Sequence, residues 1–96
     1  LRMAKVVALY HHEKWDGSGY PHGLAGEAIP LEARIVAVSD VFDALTSARP
    51  YKQAWSIEDT MAHMQAQKGL HFEPRLIDLL AQNLPAILEI KQRWAE

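Results

Sequence analysis

The stretch that decides the fold is His11-His12-Glu13-Lys14-Trp15-Asp16-Gly17-Ser18-Gly19-Tyr20-Pro21-His22-Gly23-Leu24, where an apolar helical segment meets a glycine-rich loop. Neighbouring helix residues point about 100° apart, because a turn takes roughly 3.6 residues. His11 and His12 therefore diverge, and one apolar face cannot bury both rings. Each ring could reach a different ion of a multi-metal cluster, or one could be a satisfied core residue and the other solvated. The spacing alone leaves both alternatives open.

The loop after the histidines turns repeatedly. It contains Pro21 and four glycines, Gly17, Gly19, Gly23 and Gly26. Glycine tolerates backbone dihedrals that other residues avoid, and proline fixes one. Asp16 is placed to cap or brace this loop. A shaped loop beside a histidine pair indicates the rim of a site.

Apolar residues recur at helical spacing over most of the chain. The predicted helices are residues 1–12, residues 31–47, a segment between an N-cap at Ser56 and a stop at Gly69, a segment from Pro74 to Pro85, and residues 86–95. The second helix is the clearest, with an apolar stripe of Leu31, Ile35, Val38, Phe42 and Leu45. The sequence therefore predicts an all-α fold, a helical bundle.

Length and composition limit the class of protein. Ninety-six residues allow one domain at most, and 49% hydrophobic residues with a net charge of −2 indicate a folded chain rather than a disordered one. The charge balance does not favour binding to a nucleic acid polymer. No apolar run reaches the roughly 20 residues of a membrane span. Cysteine is absent, which is typical of a cytoplasmic protein.

Charged residues supply two further candidate constellations. Asp40 and Asp43 lie one turn apart in the second helix, where both could be solvated carboxylates or Asp40 could join His11 and His12 as a metal ligand. Histidine and carboxylate donors together suit Fe, Mn or Zn. A pair of such ions would bind phosphate and lower the pKa of water. Arg49 and Lys52 follow that helix, where they could complement its negative end or bind an anion.

These residues carry a resemblance to a known family. HHEKWDGSGYPHGLAGEAIP is similar to the signature of the HD-GYP family, whose GYP is here Gly19-Tyr20-Pro21. The similarity continues through ARIVAVSDVFDALTSARPYKQAWS to GLHFEP and so covers residues 11–74. It implies an HD-domain-like metal-dependent phosphohydrolase fold. It also implies a bacterial phosphodiesterase that uses two or three divalent ions, most often Fe or Mn, to hydrolyse cyclic di-GMP to linear pGpG or GMP.

The resemblance also implies roles for individual residues. His11, His12 and Asp40 match the family's metal ligands, the last within Val38-Ser39-Asp40. Arg49 and Lys52 match its substrate-phosphate contacts.

Other matched residues surround these. Tyr20 would lie at the pocket rim as a substrate-binding residue, where it could stack on a guanine or donate to a phosphate, or else pack the loop. Asp43 would orient Arg49 or Lys52. The remaining histidines are expected to be surface or packing residues. Glu73 stands where the family has aspartate, which predicts a weaker helix N-cap.

One departure concerns the family's other half. No His-Asp dipeptide occurs in the chain, so the resemblance covers the C-terminal portion of such a domain, and residues 1–96 are expected to form a partial domain that is inactive alone. Its exposed apolar faces predict self-association. The alternative is a non-catalytic interaction module that docks a diguanylate cyclase through the GYP loop.

Overall fold

A computed structural model describes residues 2–94 and folds them into helices joined by loops, without a β-sheet in that range. The helices are α1 (Arg2–Tyr10), α2 (Leu31–Thr46), α3 (Ile57–Ala66), α4 (Pro74–Gln82) and α5 (Leu84–Trp94), with a short 3-10 turn at Gly26–Ala28. The all-α prediction is confirmed. Leu1 and Ala95, which the predictions assign to the first and last helices, lie outside the described residues.

The helix ends follow local chemistry. The Ser56 hydroxyl accepts a hydrogen bond from the Asp59 amide at 3.0 Å, which caps α3 as predicted. Pro74 begins α4, and Pro85 lies in the first turn of α5, where proline's missing N–H costs no helical bond. The first helix is shorter than predicted, so His11 and His12 both lie in the turn that follows α1. The prediction that their rings diverge is wrong, because it assumed helical geometry at both residues.

Helix α2 is central, since α1, α3 and α4 all pack on it. The core consists of large apolar side chains from α2, α3, α4 and the α3–α4 connection: Val38, Phe42, Met64, Phe72, Ile77 and Leu80. The predicted stripe of α2 is wrong in its first half, because Leu31 and Ile35 are 48% and 45% exposed while Ala33 and Ala37 are buried. Ala37 lines a cavity together with His11 and His12, and its small side chain lets this histidine segment, residues 11 and 12, approach α2. Because α2 has neighbours on several sides, its buried residues do not form a single apolar stripe.

Glu73 is the N-cap residue of α4, and its side chain makes no capping bond. Its carboxylate instead pairs with the guanidinium of Arg34, and both side chains are largely buried. Arg34 Nε also donates to the carbonyl oxygen of Ile29 at 2.9 Å. The longer glutamate therefore joins α4 to α2 and to the end of the glycine loop.

The helices within residues 2–94 include none that is both long enough and apolar enough to cross a membrane.

Candidate functional site

The His11 ring is fixed by the end of α1. Its Nδ1 lies 2.8 Å from the carbonyl oxygen of Val7 and 3.1 Å from that of Ala8. Because a carbonyl oxygen can only accept, Nδ1 must carry the proton, which leaves the lone pair on Nε2. Metal-binding histidines commonly donate their second ring N–H to a carbonyl in this way. His11 is therefore oriented as a ligand would be.

The His12 ring lies between two other rings. Its centroid is 3.9 Å from that of His11 and 4.8 Å from that of Tyr20, and the Tyr20 ring stacks on it with 18° between the planes. The backbone adds a second link, because the Tyr20 amide donates to the His12 carbonyl oxygen at 3.2 Å. Tyr20, predicted at the pocket rim, thus directly covers one of the predicted metal ligands.

Gly19 lets the loop lie flat on the histidine segment. A Cβ atom at this position would be 2.4 Å from the His12 carbonyl oxygen and 2.5 Å from the Lys14 nitrogen. No side chain fits there. Gly17, with φ of +84°, starts the loop in a conformation that favours glycine, and Pro21 follows Tyr20 through a cis peptide bond.

Glu13 anchors the later part of the loop, at His22 and Leu24, a role that sequence reasoning missed. Its side chain is buried, with Oε2 accepting from the His22 amide at 2.8 Å and Oε1 from the Leu24 amide at 2.9 Å. Burial alone raises the pKa of this carboxyl, but hydrogen bonds from the His22, Leu24 and Gly23 amides and the nearby His22 ring bring the net pKa below its usual value. The available signal was the glycine loop itself, whose amides need an acceptor.

Asp16 stabilises the start of the loop, at Ser18. Its Oδ1 accepts from the Ser18 hydroxyl at 2.6 Å and the Ser18 amide at 2.9 Å, and these bonds lower the pKa of the Asp16 carboxyl. The Asp16 amide donates to the Leu70 carbonyl oxygen at 2.9 Å, and the Trp15 amide to that of His71 at 3.1 Å. The loop is thus also attached to the connection between α3 and α4.

The two histidines and Asp40 share one cavity of about 380 Å³ between the loop and α2. Its lining consists of His11, His12, Lys14, Tyr20, Ala37, Asp40, Val41 and His71. Two imidazoles and a carboxylate fit Fe or Mn in kind. They are not arranged as a complete site, because no group of three or more His, Cys, Asp or Glu side chains within residues 2–94 is placed to hold a metal ion. These residues can supply part of a coordination sphere.

The basic pair lies outside the lining of this cavity. Arg49 and Lys52 close a tight turn, with each amide donating to the other's carbonyl oxygen at 2.8 and 3.1 Å. Lys52 Nζ lies 3.3 Å from the carbonyl oxygens of Ser47 and Gln53, as expected for a cation at a helix end. Of the two residues that Asp43 is predicted to orient, it contacts Arg49, at 4.0 Å.

His71 is a second residue that sequence reasoning missed, since it lines the cavity rather than only packing or facing solvent. Its ring stacks on Phe72 with centroids 4.3 Å apart. Burial first, and then the nearby Lys14 and His63 side chains, lower the pKa of His71 below its ordinary value of 6.5. The ring is therefore neutral near pH 7, and one nitrogen can accept a hydrogen bond.

Comparisons with known proteins agree with this fold. The profile of the HD domain family matches residues 1–76. The chain is 56% identical over 90 residues to the cyclic di-GMP phosphodiesterase response regulator RpfG of Xanthomonas campestris, which covers 94% of this chain and 24% of that protein. It is 48% identical over 91 residues to the 3'3'-cGAMP-specific phosphodiesterase 2 of Vibrio cholerae, covering 95% and 17%.

A solved structure is also similar. The crystal structure of a cyclic GMP-AMP-specific phosphodiesterase of Vibrio cholerae, V-cGAP3, superimposes with a TM-score of 0.74 at 29% identity, over 96% of this chain and 25% of that one. The chain thus spans about a quarter or less of the proteins it matches. By its profile match and its Gly19-Tyr20-Pro21 loop, the chain belongs to the HD domain family and to the HD-GYP proteins within it.

Proposed function

We propose that this chain supplies part of the active site of a metal-dependent phosphodiesterase that hydrolyses cyclic di-GMP to linear pGpG or GMP. The observation that carries the proposal is the shared cavity of His11, His12 and Asp40, with His11 oriented by its Nδ1–H bond to Val7. The 56% identity to a protein named as a cyclic di-GMP phosphodiesterase supports the same substrate class.

In this proposal His11, His12 and Asp40 hold divalent ions, Fe or Mn, together with ligands from outside this chain. Such ions supply Lewis acidity toward the phosphodiester and lower the pKa of water. The protein orients the ligands: the Val7 carbonyl fixes the His11 ring, and the Tyr20 ring covers the His12 ring. Tyr20 is 60% exposed and so also offers an aromatic face on which a guanine base can stack.

Arg49 and Lys52 are the proposed contacts for substrate phosphate outside the cavity. Arg49 is 45% exposed and has only a long contact, 4.0 Å, with Asp43, so its planar fork is open to phosphate oxygens. Lys52 would have to leave its carbonyl partners to reach the substrate. Replacing either residue with alanine is therefore expected to weaken substrate binding without changing the metal content.

The test uses a complete HD domain that contains this chain. His12→Ala and Asp40→Ala should each lower metal content and abolish hydrolysis of cyclic di-GMP. His63→Ala is the matched control, since His63 packs edge-on against Trp55 with ring centroids 5.8 Å apart and does not line the cavity. Metal content and turnover at wild-type levels in both site variants would refute the proposal. Parallel assays with 3'3'-cGAMP decide between the two substrates named for the relatives.

A second candidate function is a non-catalytic module that docks a diguanylate cyclase through the glycine loop. The exposed Tyr20 at the loop's surface favours it, because exposed aromatic side chains are common at interfaces. The two functions separate on one variant: Tyr20→Ala would abolish cyclase binding in the second case and only weaken substrate binding in the first.

A further inference from the structure

The shared cavity has a cationic residue that the sequence analysis did not assign. Among the eight residues that line it, Lys14 alone carries a permanent positive charge, while Asp40 carries the negative one. A phosphodiester that enters this cavity brings negative charge of its own. Its phosphoryl oxygens therefore need a donor in addition to metal ions.

The backbone of Lys14 is held firmly. Its carbonyl oxygen accepts from the Gly17 amide at 2.9 Å, and Gly19 lies against its nitrogen. The preceding residue is the buried Glu13, which fixes the loop. The side chain thus extends from a backbone position that is held rigidly beside His12. Because the backbone is fixed, the positions that the ammonium group can reach are better defined than they would be on a mobile loop.

The ammonium group, in contrast, has no close polar partner among the described residues. Within residues 2–94, Lys14 takes part in none of the ion pairs and in none of the side-chain hydrogen bonds, whereas Lys52 donates to two carbonyl oxygens. The charge of Lys14 lowers the pKa of His71, which lines the same cavity, and also the pKa of the Asp16 carboxyl, which does not line it. Lys14 is a half-buried residue of the cavity lining whose ammonium makes no ion pair or hydrogen bond with residues 2–94, and such a group is suited to an anionic ligand.

We propose that Lys14 is the cation that contacts the phosphoryl group bound at the His11, His12 and Asp40 cavity. This rests on the proposed function and deepens it. A cyclic dinucleotide has two phosphodiester groups: the ammonium of Lys14 donates to a non-bridging oxygen of the group at the metal ligands, and Arg49 and Lys52 serve the part of the substrate outside the cavity. Lys14 binds the oxygen as a point charge.

The experiment uses the metal-loaded complete domain and inorganic phosphate as the probe. Lys14→Met should weaken phosphate binding, measured by calorimetry, by roughly ten- to a hundredfold, because a charge-assisted hydrogen bond is lost. Lys14→Arg should stay within about threefold of wild type, since it keeps the charge and the donors. Lys5→Met is the matched control, because Lys5 is exposed on α1 and lines no part of the cavity. Metal content should be unchanged in all three variants.

Kinetics with cyclic di-GMP provide the second readout, with kcat/KM of Lys14→Met falling by a similar factor. Wild-type phosphate affinity in Lys14→Met would overturn the proposal, and so would loss of metal, because Lys14 would then act through the ligands. An arginine variant as weak as the methionine variant would also overturn it. If wild type does not hydrolyse cyclic di-GMP at all, the proposed function fails, while the phosphate titration still decides the role of Lys14.

Discussion

Gly19→Ala should be the most disruptive small substitution in the loop. The new Cβ would lie 2.4 Å from the His12 carbonyl oxygen and 2.7 Å from the Glu13 Cα. Non-bonded carbon contacts are most favourable at about 3.5–4.0 Å, so the loop must move away by about 1 Å. The obstacles are backbone atoms, which cannot rotate aside as a side chain would. The Tyr20 amide, 3.2 Å from the His12 carbonyl oxygen, then loses its hydrogen bond, and the Tyr20 ring separates from His12.

We expect this change to lower the free energy of unfolding by roughly 2–4 kcal/mol, from overpacking together with the lost hydrogen bond and ring contact. The matched control is Gly26→Ala. Gly26 has φ of +57° but no atom within 4 Å of the added Cβ, so it should cost only the roughly 1–2 kcal/mol of a left-handed alanine. Urea unfolding followed by tryptophan fluorescence measures both variants. The ring-proton shifts of His12 in NMR spectra report the Tyr20 stack.

Two results would refute this reasoning. One is a Gly19→Ala variant no less stable than Gly26→Ala. The other is an unchanged set of His12 ring-proton shifts in Gly19→Ala, because the loop would then not have moved from the histidine segment.

Three other predictions test the packing, the charge and the surfaces. Glu73→Ala should lower the free energy of unfolding by about 3 kcal/mol, because it leaves the largely buried Arg34 without its carboxylate partner. Adding Arg34→Met should recover part of this loss in the double variant. A double-mutant cycle of unfolding measurements that shows no coupling between the two residues would contradict this. Because the folded-state pKa of His71 lies below 6.5, stability is full above that pH and is lost as pH falls through the folded pKa; His71→Gln should flatten this part of the profile, and an unchanged slope would count against it. Residues 1–96 alone should self-associate, since Met3 and Leu9 of α1 are 64% and 47% exposed; light scattering that shows a monomer at high concentration would disprove it.

Local chemistry made much of the fold predictable. The Ser56 cap, the Pro74 start and the extent of α2 each depend on interactions among near neighbours, which the sequence displays directly. The inward face of α2 was less predictable. Leu31 and Ile35 are exposed because other elements cover the alanine side, and that depends on packing between segments distant in sequence.

The site divides in the same way. The histidine pair and the glycine loop are adjacent in sequence, so their juxtaposition could be inferred. Glu13 could not be assigned from spacing, because its partners are backbone amides nine and eleven residues later, and any residue type supplies an amide. His71 reaches the cavity only because the α3–α4 connection accepts hydrogen bonds from Trp15 and Asp16, a tertiary arrangement with no sequence pattern of its own.

The weak packing of α1 has a consequence for the thermodynamics of metal binding. No residue of α1 is buried, and its main packing is against α2, so this helix should open at a lower free-energy cost than α2, α3 and α4, which all carry buried residues. His11 and His12 follow it directly, while Asp40 lies on α2. A metal ion bound by the two histidines and Asp40 would cross-link the end of α1 to α2. Part of its binding free energy would then stabilise the packed position of α1. Apparent metal affinity and the protection of α1 amides from hydrogen exchange should then rise and fall together, as two measures of one equilibrium.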